Sequence, residues 1–130
     1  MAFDWRDFLI VAHEQRNDPR EGIQRTSLGR AYYYVYNLGL TKAKSQNFQS
    51  GQGGLHRQLW NWFQNHTDMT IRRMGVEASR MYANRISADY KNAPIPNIAL
   101  EVKKQLTRAQ TFETLMAQVN GQQPPAPLAP

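Results

Sequence analysis

Three observations predict an all-α fold, an antiparallel bundle of four to five helices. Apolar residues recur at spacings of three and four along most of the chain, capping residues precede these runs, and no window alternates β-branched residues between turn dipeptides. At 130 residues the chain holds one domain. Its 41% hydrophobic and 11% aromatic content excludes a disordered chain.

The first predicted helix runs from Asp4 to Glu14, with Asp4 as N-cap and Trp5, Phe8, Leu9 and Ala12 on one face. Asp18, Pro19 and Glu21 then start a second helix that continues through Leu28, Ala31, Tyr32, Val35 and Leu38 toward Ala43. Gly29 and Gly39 lie within it and invite a close helix neighbour. The glutamine-, serine- and glycine-rich stretch 45–54 reads as a flexible loop. Leu55, Leu59, Trp62 and Phe63 form the face of a third helix, with Trp60 off that face. Asp68 caps a fourth, carrying Ile71, Met74, Ala78, Met81, Tyr82 and Ile86 and ending before Pro94. A fifth starts near Asn97 and places Val102, Leu106, Ala109 and Phe112 opposite Lys103, Lys104 and Arg108. The helical domain is therefore 1–119. Residues 120–130, with four prolines in the last seven positions, read as a disordered tail with nothing to bury.

With no cysteine, the chain has no thiolate metal site, disulfide or cysteine nucleophile, which fits a reducing compartment; the cytoplasm is the expected location. The first residues alternate charge with apolar groups, unlike a signal peptide, and no apolar run approaches the ~18 residues of a membrane span. The histidines, His13, His56 and His66, show no metal-ligand spacing, so no metal and no cofactor is expected. No Gly-x-Ser-x-Gly elbow or glycine-rich phosphate loop is present. A net charge of +6 pulls toward polyanions such as RNA.

Two clusters have the chemistry to use that charge. In Tyr82 to Tyr90, helical spacing aligns Arg85 with Asp89, and Arg85 with Tyr90 would grip phosphate, since guanidinium binds it bidentately and phenol donates to it. In Arg25 to Tyr34, Arg30 shares a face with Tyr33 or Tyr34, an interleaving suited to stacked bases and phosphates. In both clusters the bland alternative is a polar seam whose groups satisfy one another. His56, following the glycine loop, is the best placed of the histidines to reach another element.

These clusters, in this order, resemble the HEPN superfamily of small helical domains. The resemblance rests on Trp5 to Ala12, on Arg25 to Gly39 with its Arg-x-x-x-x-Arg-Ala-Tyr-Tyr pattern, on Arg85-x-x-x-Asp89-Tyr90, and on His56 followed by Trp60 and Phe63. It spans residues 5–90. It implies a homodimer that places polar residues of both subunits in one cleft, RNA or a nucleotide as ligand, a toxin or defence-system role, and a nucleotidyltransferase-like protein as candidate partner. The catalytic members are metal-independent ribonucleases with an arginine followed four to six residues later by histidine. Here Asp89, Tyr90 and Lys91 occupy those positions and no histidine follows His66. A phenol of ordinary pKa about 10 is a poor proton acceptor at neutral pH. The resemblance thus makes Arg85, Tyr90 and His56 the catalytic candidates, and Arg25, Arg30, Tyr33, Tyr34, Arg85 and Asp89 the binding candidates. The expected function is RNA or nucleotide binding, with ribonuclease activity or a purely structural dimerisation module as alternatives.

Overall fold

The computed structural model describes residues 2–130 and contains five helices, α1 (Arg6–Glu14), α2 (Glu21–Ser45), α3 (Leu55–Gln64), α4 (Met69–Tyr90) and α5 (Ile98–Val119), with no strand among the described residues. The all-α bundle is as the periodicity predicts. Cross-helix contacts set the directions. Ser27 of α2 bonds to Ala12 of α1, Tyr33 of α2 meets Arg85 of α4, and Asn84 of α4 meets Gln105 of α5, so α1 and α4 run against α2 and α5. Within the bundle α2 and α5 are parallel, with Tyr34 opposite Glu113 and Lys42 opposite Asn120. The loop at 46–54 runs back along α2, so that α3 starts beside Tyr32 and ends near Gln46.

The core lies where α2 meets α3, α4 and α5. Trp60, Phe63 and Phe112 pack edge to face or tilted with ring centres 5.3–6.0 Å apart, an arrangement that aromatic quadrupoles favour. Trp60 is buried, not off the core as the third helix's face predicts, because Gly39 leaves room for it. A Cβ at Gly39 would stand 2.7 Å from the Trp60 ring. Gly75, at the α3–α4 crossing, is as tight: a Cβ there would lie 2.7 Å from Phe63 Cβ and 3.0 Å from the Gln64 backbone nitrogen. Gly29 differs from the expectation, having nothing within 4 Å of its missing Cβ. Buried Gln105 ties three helices, donating to Leu28 O and Met81 O while accepting from Asn84.

Asp68 caps α4 as predicted, accepting from Thr70 N at 2.7 Å and Ile71 N at 3.3 Å. At α2 the predicted cap is displaced: Asp18 accepts from the Arg20 backbone and side chain, and the helix begins at Glu21. Among the described residues no helix is long and apolar enough to cross a membrane.

Residues 120–130 carry no helix. The sequence predicts nothing there to bury, and here the structure differs. Gly121, at φ 66°, ends α5 with the paired bonds of Gly121 N to Gln118 O and Gln122 N to Ala117 O. The chain then lies against α1 and α5, with Leu128 half-buried on the core. Helical periodicity cannot detect such a strap, which needs one apolar side chain and acceptors for its neighbours' donors.

Candidate functional site

Three helices bring one polar and aromatic cluster together. Successive faces of α2 supply Tyr32, Tyr33 and Tyr36, the first turn of α3 supplies His56, with Trp60 one turn on, and the last turns of α4 supply Tyr82, Arg85 and Asp89. The antiparallel α2–α4 pairing carries residues from distant parts of the chain to this spot.

His56 is held on two sides. Its ring stacks between Tyr36, 4.2 Å away, and Tyr82, 5.2 Å away, at interplanar angles of 25° and 13°. Beneath it, Trp60 Nε1–H donates to the Tyr32 hydroxyl at 3.0 Å, and that hydroxyl lies 2.6 Å from His56 Nδ1. Tyr32 is fully buried and its single hydroxyl proton has no other acceptor. It therefore donates to Nδ1, and neutral His56 carries its own proton on Nε2. Burial, and then the positive charge of Arg85, push the His56 pKa down, so the ring is neutral at pH 7. Burial likewise pushes the Tyr32 pKa up.

Arg85 lies over the face of Tyr33, its guanidinium carbon 5.0 Å from the ring centre, and Nη2 donates to the Tyr33 hydroxyl at 2.6 Å. Asp89 Oδ2 stands 2.9 Å from Nε, close enough to pair in charge, yet the Nε–H is not aimed at it and has no hydrogen-bond acceptor. Nη1 makes no hydrogen bond among the described residues. The Arg85 side chain, 16% exposed, thus retains spare N–H donors on Nη1. They stand beside Tyr33, whose ring is also 6.1 Å from His56.

The expected convergence of the two arginine clusters is partial. Tyr33, Arg85 and Asp89 meet, and His56 joins them. Arg30 turns the other way, 4.8 Å above the Phe8 ring on α1. Tyr34 is buried on the opposite side, donating to Glu113. Arg25 pairs with Glu21 and donates to the carbonyls of Ala88, Lys91 and Ala93, capping the end of α4. Tyr90 is 70% exposed and forms no side-chain hydrogen bond among the described residues. These four stand away because a 100° step per residue sends adjacent positions of α2 to different neighbours, and because α4 ends at Tyr90.

Tyr32 and Tyr36, four apart, read from the sequence as core residues with their hydroxyls reaching out, and nothing in it marks Tyr32 and Trp60 as a relay to His56. The i, i+4 spacing of Tyr32 and Tyr36 was the available signal, and it also fits plain core packing. Among the described residues no group of three or more His, Asp or Glu stands together as a metal site. Compared with models of protein families, with curated protein sequences and with solved structures, the chain matches none.

Proposed function

We propose that this chain is a HEPN-like domain that binds RNA or a nucleotide through a phosphate held by Arg85, with His56 and the surrounding tyrosines completing the site. The observation that carries the reading is the donor surplus of Arg85: a side chain only 16% exposed, fixed by Tyr33 and Asp89, whose Nη1 has no hydrogen-bond acceptor among the described residues. A phosphate oxygen accepts charge-assisted hydrogen bonds from such a donor. His56 supports binding over cleavage. Its relay leaves Nε2–H a donor at neutral pH, suited to an anion, whereas a general base would need a free lone pair at that nitrogen. Tyr33, Tyr36 and Tyr82, each half-buried, offer ring faces for a base. The half-exposed stripe of Gly29, Tyr33, Tyr36 and Leu40 on α2, with open space over Gly29, supports a homodimer seam beside the site.

The test is titration of a short labelled single-stranded RNA against the parent and Arg85→Ala, in the presence of EDTA. A charge-assisted hydrogen bond of ~1.5–3 kcal/mol predicts binding weaker by about ten- to a hundredfold with helicity retained. Equal affinity in a folded variant would make the cluster structural. Light scattering checks the dimer, which a single-chain mass at micromolar concentration would refute. Cleavage of the RNA by the parent and not by His56→Gln would favour the ribonuclease.

A further inference from the structure

On the far side of the bundle from Arg85, the segment 124–130 is held in a way that resembles peptide recognition more than chain-end packing. Prolines at 124, 125, 127 and 130 have no N–H, so the segment offers mainly carbonyl acceptors. The face opposite it is rich in donors. From α1 and the turn after it, Arg6 Nη2 donates to Ala126 O at 2.8 Å, His13 Nε2 bonds to Ala129 O, and Arg16 Nη2 donates to Pro130 O at 3.0 Å. The Leu128 N–H, one of the few amides the segment has, donates to Gln110 Oε1 of α5 at 3.0 Å. Leu128 alone is half-buried, while its neighbours stay exposed. One apolar anchor and backbone bonds on either side are what a groove for extended proline-rich chains requires.

The groove is also larger than its occupant. A cavity of about 580 Å³ opens beside the tail between the end of α1 and α5, walled on one side by Leu128 and Ala129 and on the other by Asn17, Leu100, Lys103 and Leu106, with Leu100 47% exposed. We propose that this α1–α5 groove is a binding site for an extended proline-rich peptide with a central leucine, occupied in cis by residues 124–130 and opened to a partner segment of the same chemistry when the tail leaves. The tail follows the left-handed Gly121, a turn from which it can swing out without disturbing α5. Tethering keeps it at an effective concentration of about millimolar, so a free peptide competes poorly until the anchor is lost.

The experiment uses the full chain and a fluorescent peptide of sequence 122–130 blocked at both ends. Leu128→Asp in the protein should release the tail and raise peptide affinity at least about tenfold over the parent, and a peptide carrying the same change should not bind. Equal binding to parent and variant, or no binding to a Leu128→Asp chain that keeps its helicity, would overturn the proposal. Hydrogen exchange on the parent provides a second reading if the variant does not fold. The Leu128 amide should be protected and should lose protection once unlabelled peptide is added well above the tail's effective concentration of about millimolar. Protection unaffected by peptide, or lost only as protein concentration rises through exchange of tails between copies, would equally refute it.

Discussion

Tyr33 and Tyr34 follow one another on α2 and serve opposite kinds of polar cluster. Tyr34 points between α1 and α5, where Glu113 accepts from its hydroxyl and from Arg6 Nε and Nη2, both at 3.0 Å. Glu113 is buried, and burial together with this hydrogen bond pushes the Tyr34 pKa up. Every charge there is spent on the fold. Tyr33 points toward α4, where Arg85 keeps Nη1 donors that no group among the described residues uses. Composition does not separate the two clusters, since each has an arginine, a carboxylate and a tyrosine. The difference is closure: a buried charge fully matched by its neighbours holds helices together, and one left with spare donors is available to a ligand.

The largest expected effect breaks the closed cluster. Glu113→Ala leaves Tyr34 without its acceptor and Arg6 with only Ala126 O, and should cost ~3 kcal/mol, measured by urea unfolding. RNA affinity per folded molecule should be unchanged, because Arg85 lies on the other face of α2. The packed and open faces of the helices should separate in the same way. At Gly75 the neighbours are Phe63 Cβ and the Gln64 backbone nitrogen, neither of which can swing aside, so Gly75→Ala should destabilise by ~1–3 kcal/mol. Gly29→Ala meets nothing within 4 Å in the chain and should stabilise α2 by up to ~1 kcal/mol. If α2 forms the dimer seam, the same change should weaken dimerisation, which light scattering would detect.

The smallest effect is in pH dependence. His56 faces Tyr32, Tyr33 and Tyr36 of α2 and Tyr82 and Arg85 of α4, and its folded pKa is lowered by burial and then by Arg85. The unfolded chain therefore takes up the proton first as pH falls below about 6.5. Stability is complete above that pH and should decline from it toward the lowered folded pKa. His56→Gln should flatten this part of the urea-unfolding profile.

The helices were legible because each carries a long apolar repeat, and the Asp68 cap because its geometry is local. The Arg85–Asp89 pair was legible for the same reason, an i, i+4 spacing on one helix. The choice between Tyr33 and Tyr34 was not, because it depends on which helices α2 packs against. Arg25 and Arg30 have the composition of a phosphate site, and only the tertiary arrangement shows them spent on α4 carbonyls and on Phe8. The Glu113 cluster escaped sequence reading altogether, since Arg6 and Glu113 lie at nearly opposite ends of the chain.

Ligand binding at the open cluster depends most on a protonated Nε2 on His56 beside spare donors on Arg85. Nitrogen NMR of the His56 ring at pH 7.5 tests both halves at once, before and during titration with single-stranded RNA. The expected spectrum shows Nδ1 unprotonated, Nε2 protonated, and both the Nε2–H and the Arg85 guanidinium resonances shifting as RNA is added. A proton on Nδ1, or RNA binding that shifts other residues and leaves His56 and Arg85 unmoved, would contradict it.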